Sequence, residues 1–152
     1  MSFNKDFVWG AASAAFQIEG AAYEDGKGLS IWDVACKKPG YVADGTNGDI
    51  ACDHYHWFKE DVAILKRLGV KAYRFSVSWP RILPDRIGRI NEKGIAFYNS
   101  LINELLANGI EPYITIFHWD FPYELMKKGG WMNNDSPKWF AEYTKIIVER
   151  FS

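Results

Sequence analysis

The chain has 152 residues, with 18 basic and 19 acidic side chains for a net charge of −1, and 48% of its residues are apolar. That composition suits one ordinary globular domain, 1–152, and no run of about 18 apolar residues offers a membrane span. With no cluster of Lys and Arg, the electrostatic footprint of a nucleic-acid binder is missing, so neither nucleic acid nor membrane is expected as a partner.

The first segment, Met1 to Asp6, lacks the basic and long apolar regions of a secretory signal, which reads as a cytoplasmic chain. A short apolar run from Phe7 to Ala12 predicts a first strand. From about Gln17 to Asp53 the sequence has no sustained period and is rich in Gly, Asp, Ala and Lys. An irregular connection of that length inside a compact domain usually builds a binding surface, so it is a candidate active-site loop. Cys36 and Cys52 lie within it; without an export signal they should stay reduced, and two thiols are too few for a structural zinc.

A helical period then runs from Asp53 to Leu68, with Trp57, Phe58, Val62, Leu65 and Leu68 on one face and Gly69 past its end. Lys71 to Val77 reads as a buried strand. A second helix begins near Asn91, an N-cap residue type, and stops at Gly109. Glu111 to Phe117 is a third strand, and a third helix opens at Asp135-Ser136-Pro137 and stacks Trp139, Phe140, Tyr143, Ile146 and Ile147. The junction Gly69-Val70-Lys71-Ala72-Tyr73 recurs as Gly109-Ile110-Glu111-Pro112-Tyr113. Strands alternating with helices predict a parallel sheet with helices packed outside it.

Side chains alternate across a strand, so Tyr73, Phe75 and Val77 should meet the helices while Ala72, Arg74, Ser76 and Ser78 face the other way. Carrying that parity across the 40-residue repeat would put Ile114, Ile116 and His118 on the face of Arg74. His118 would stand at the carboxyl end of its strand, where parallel α/β folds carry their chemistry.

The run Phe7-Val8-Trp9-Gly10-Ala11-Ala12-Ser13-Ala14-Ala15-Phe16-Gln17-Ile18-Glu19-Gly20 resembles the amino-terminal signature of glycoside hydrolase family 1, the β-glucosidase family. Tyr73-Arg74-Phe75-Ser76-Val77-Ser78-Trp79-Pro80-Arg81 and Thr115-Ile116-Phe117-His118-Trp119-Asp120-Phe121-Pro122 resemble its second- and third-strand motifs, in order and at the right spacing. Asp25-Gly26-Lys27-Gly28, Ser30-Ile31-Trp32-Asp33 and Asp53-His54-Tyr55 match as well. The resemblance implies an α/β fold in which the chain forms the first three βα units of a TIM (β/α)8 barrel, parallel strands with outer helices, an incomplete barrel of which this is the amino-terminal part.

It also implies a retaining mechanism, which needs two carboxyl groups about 5–5.5 Å apart. In the family these are a glutamate in an Asn-Glu-Pro motif after strand four and one in an Asn-Gly motif after strand seven. This chain carries neither catalytic glutamate, so alone it should hydrolyse nothing. What the resemblance assigns to it is part of the sugar-binding subsite: Gln17 and His118 as hydrogen-bonding partners of sugar hydroxyls, Trp119 as a wall of the same pocket, and Arg74 as the arginine that supports the nucleophile. Amide, imidazole and indole groups suit a ligand of many hydroxyls and apolar C–H patches.

Other residues read as structural. Glu19, Asp120 and Glu124 are acidic residues near loop tips without a catalytic partner; Trp57 and Trp139 fall on helical apolar faces and should be core, whereas Trp79, Trp119 and Trp131 follow strands, where sugar contact is plausible. His54 and His56 diverge on a helix, so with His118 they should hold no metal. Gly26-Lys27-Gly28 is not a phosphate loop, and no cofactor is expected. The expected activity is hydrolysis of β-glucosides or oligosaccharides, with Trp79-Pro80-Arg81 and Asp53-His54-Tyr55 leaning toward unphosphorylated substrates over the 6-phospho branch. Two rivals stand beside it: a non-catalytic half-barrel that self-associates or joins the remaining barrel segment, and an independent open α/β domain binding a small ligand.

Overall fold

The structure is a computed structural model that describes residues 3–85 and 88–151. Three strands form one parallel sheet in chain order: β1 (Gly10–Ala12), β2 (Ala72–Ser76) and β3 (Glu111–Thr115). Three long helices connect or follow them: α3 (His54–Leu68), α5 (Glu92–Ala107) and α7 (Ser136–Phe151). Short helical turns sit in the loops beyond the strands: α1 (Ala15–Ile18), α2 (Ile31–Ala35), α4 (Trp79–Ile82) and α6 (Tyr123–Met126), with a 3-10 turn at Gly130–Met132.

Much of the apolar period becomes the core, although Leu68 at the end of α3 stays exposed. Tyr73, Phe75 and Val77 meet Val62 of α3, Tyr98, Leu101 and Leu105 of α5, and Trp139, Tyr143 and Ile147 of α7 in one buried cluster. The repeated glycines end the first two long helices in the same way. Gly69 has φ 75° and Gly109 φ 71°, left-handed values that a residue without Cβ adopts at no steric cost, which frees the chain to turn into the next strand. Tyr143 then ties the sheet to α7: its hydroxyl donates to the carbonyls of Val77 (3.0 Å) and Ile116 (2.9 Å), just past the ends of β2 and β3.

Three expectations change. The first strand is shorter than Phe7–Ala12, because β1 has β2 on one side only and its leading residues Phe7, Val8 and Trp9 stay exposed. Asn91 precedes α5 without capping it; its amide donates instead to the carbonyls of Asp25 and Arg81 (both 2.9 Å), stapling the long loop. The register of β3 also differs from the repeat. β2 starts three residues after Gly69 but β3 two residues after Gly109, so Arg74 lies level with Tyr113 and Phe75 with Ile114. Tyr113 and Thr115, rather than Ile114 and Ile116, therefore share the face of Arg74.

Candidate functional site

The loops beyond the strand ends are held by short polar links to the sheet. Ser76, the last residue of β2, accepts the backbone N–H of Ala15 on its hydroxyl (2.8 Å), which fixes the first turn of α1 above the sheet. Ser13 reaches the Tyr73 hydroxyl (2.5 Å) and its N–H donates to the Arg74 carbonyl (2.9 Å). Gln17 is thus carried on a one-turn helix anchored at both the strand end and its own start, with its side chain exposed.

His118 and Trp119 arrive from the other side, on the bend after β3. Regular alternation has stopped there, and Trp119 takes a left-handed φ of 75°. β3 itself ends at Thr115 and the chain bends from Ile116 on, so strand parity no longer decides where His118 points. Gln17, His118 and Trp119 line one open recess of about 380 Å³ together with Ala14, Phe16 and Trp32. Trp119 is 68% exposed, and His118 buries Nδ1 without a hydrogen-bond partner among the described residues. The recess therefore combines an amide and an imidazole with two indoles, a donor set and flat apolar surface that fit a small polyhydroxy ring.

Arg74 stands apart from this recess, on the exposed face of the sheet that the helices leave open. One guanidinium N–H donates to the Thr115 hydroxyl (3.3 Å), and among the described residues no carboxylate lies within ion-pair distance of it. The structure thus brings Gln17, His118 and Trp119 together and sets Arg74 below them on the sheet.

Behind the recess lies a buried charged network. Glu19, two residues beyond Gln17, accepts from Arg81 Nε (3.0 Å) and from the Tyr98 hydroxyl (2.5 Å). Arg81 also donates to the Gly20 carbonyl (3.0 Å) and lies over the Tyr55 ring at 4.3 Å. Ser78 N–H donates to the Tyr98 hydroxyl (2.7 Å). Burial, and then the charge of Glu19, hold the Tyr98 phenol far above its usual range. Asp120, next to Trp119, is only 1% exposed; burial first, and then the negative charge of Glu19, push its carboxyl up to about 7. Glu19 and Asp120 are thus buried groups that do not line the recess, while Glu124 pairs with Lys127 on the surface (2.5 Å).

Sequence reasoning missed Trp32 and Arg81. Trp32 rides on α2, whose start is fixed by a reciprocal capping box: the Ser30 hydroxyl accepts from Asp33 N–H (3.1 Å), and the Asp33 carboxylate from Ser30 N–H (2.6 Å). The spacing Ser30-x-x-Asp33 signals that turn, but nothing in it aims the indole. Two tryptophans trade places. Trp79 is fully buried, stacked on Tyr143 at 4.5 Å, and touches no open surface; Trp57 is 55% exposed, because α3 kinks at that residue (φ −106°, ψ 17°) and turns it outward. Trp139 is core as expected, and Trp131 packs on Phe117 and Phe121, outside the recess. His54 and His56 bond different carboxylates, Asp61 (2.6 Å) and Asp53 (2.5 Å). Both cysteines are free thiols.

The family model described as Glycosyl hydrolase family 1 matches residues 1–152. Beta-glucosidase A of Acetivibrio thermocellus is 56% identical over 149 residues, which is 98% of this chain and 33% of that protein. The aryl-phospho-beta-D-glucosidase BglC of Bacillus subtilis is 57% identical over 151 residues, 99% of this chain and 32% of that protein. Among solved structures, the family 1 β-glucosidase of Thermotoga maritima superposes with a TM-score of 0.96 at 54% identity, covering 98% of this chain and 34% of that one; the same enzyme has been solved in complex with glucoimidazole at the same scores. The chain spans about a third of the length of the curated relatives it matches.

Proposed function

The chain belongs to glycosyl hydrolase family 1 and folds as the first three βα units of its barrel, and from that premise we propose that it is the amino-terminal part of a retaining β-glucosidase and builds one wall of the sugar pocket. Gln17 and His118 hydrogen-bond hydroxyls of the terminal glucosyl unit, and Trp119 lines the same pocket. Arg74 holds the attacking carboxylate ionised by its positive charge. The two catalytic carboxyl groups come from polypeptide outside these 152 residues, so the segment alone is inactive. The observation that carries this reading is the convergence of Gln17, His118 and Trp119 on one recess from two separate loops.

We place the substrate among unphosphorylated β-glucosides. The motifs that suggest this branch, Trp79-Pro80-Arg81 and Asp53-His54-Tyr55, have Trp79, Arg81 and His54 buried in the interior, so they mark kinship rather than touch the substrate. The assay is hydrolysis of p-nitrophenyl β-glucoside and of its 6-phosphate by the full-length protein. A higher kcat/KM on the unphosphorylated compound is expected; preference for the phosphate would move the protein to the other branch, and inertness on aryl β-glucosides, β-galactosides and their 6-phosphates alike would end the enzyme reading. His118→Ala should lower kcat/KM by at least about fivefold, the loss of one hydrogen bond worth about 1 kcal/mol or more.

A further inference from the structure

Next to the recess, between the loop after β1 and the loop after β3, lies a small, partly open cavity of about 10 Å³. Its walls include Glu19, Lys27, Ser30, Asp33, Ser78 and Asp120. Two of its acids are already neutralised by cations: Glu19 by Arg81 (3.0 Å) and Asp33 by Lys27 (2.9 Å). Asp120 is the third acid; both of its carboxylate oxygens are fully buried and neither makes a well-aligned hydrogen bond among the described residues, while the Ser78 hydroxyl and the Asp120 N–H lie near enough to favour the charged form against the burial. A buried carboxylate without a well-aligned donor is costly, and a space of about 10–15 Å³ with two or more polar partners is what one water molecule requires.

We propose that this cavity is a binding site for a single internal water molecule that donates to the Asp120 carboxylate and bonds at least one of Glu19, Lys27, Ser30 and Asp33 across it. The water ties the loop carrying His118 and Trp119 to the loop carrying Gln17. Asp120 is accordingly a positioning residue: it acts on the recess through the water and touches no ligand. Its raised carboxyl fits a site where one water supplies fewer donors than bulk solvent.

The first test is a crystal structure of the full-length protein at a resolution that orders internal waters. One peak is expected within about 2.6–3.2 Å of an Asp120 carboxylate oxygen and of an atom from Glu19, Lys27, Ser30 or Asp33. A dry cavity with Asp120 bonded directly to the Ser78 hydroxyl or to Glu19 would overturn the proposal, as would a peak with ligand distances below about 2.5 Å, which mark a metal cation. This test does not depend on the enzymatic reading. The second does: Asp120→Leu, whose apolar side chain offers the water no acceptor, should lose the peak and bind glucoimidazole about tenfold more weakly. Retention of the peak, or of full affinity in a variant whose melting shows it folded, would refute the tie between the loops.

Discussion

Replacing Asp120 by asparagine keeps the shape of the side chain and removes its titration. In the folded protein burial and the neighbouring Glu19 charge push this carboxyl from its ordinary value of 3.8 to about 7, so folding favours the protonated form. A raised carboxyl contributes stability that is whole below about pH 3.8 and is lost as pH climbs through 7. At about 1.4 kcal/mol per pH unit that loss is about 4 kcal/mol, of which a donor such as an internal water returns part. The D120N variant, with no carboxyl to ionise there, would carry no such loss. Its melting temperature relative to the parent, measured on the full-length protein from about pH 5 to pH 8.5, should therefore rise with pH, by about 2–4 °C for a barrel-sized chain. A difference that stays flat or falls across that range would refute the reasoning, because the carboxylate would then be as comfortable folded as unfolded.

Two further perturbations follow from the same geometry. Arg81→Met strips the buried partner from Glu19 and should destabilise the protein by about 3–5 kcal/mol in denaturant unfolding; a cost under about 1 kcal/mol would mean that Glu19 is not held by that pair. Tyr143→Phe removes the hydroxyl that bonds the Val77 and Ile116 carbonyls together and should cost about 1–3 kcal/mol, with the stacked Trp79 kept in place as read by near-UV circular dichroism.

The helices and strands were legible because their apolar residues repeat with the right period and their ends carry glycines that only a left-handed turn explains, as at Gly69 and Gly109. What the pattern could not supply is register. The connection into β3 is one residue shorter than the one into β2, and that single residue moves Ile114 from the face of Arg74 to that of Phe75. His118 still meets Gln17, through the irregular backbone after Thr115 and not through alternation. The exchanged roles of Trp57 and Trp79 have the same origin: a local kink and a tight turn decide where an indole points, and neither leaves a periodic trace. The Glu19–Arg81 pair was hidden for a different reason, since 62 residues separate partners that only the folded sheet brings within 3.0 Å.

The recess itself is tested most directly by the structure of the full-length protein with glucoimidazole, a ligand with which the Thermotoga maritima relative has been solved. The account predicts the sugar-like ring in the recess, with the Gln17 amide and a His118 ring nitrogen each within about 3.2 Å of a ring hydroxyl and the Trp119 indole lining the same pocket. A ring bound with Gln17 and His118 both beyond hydrogen-bond reach would contradict it.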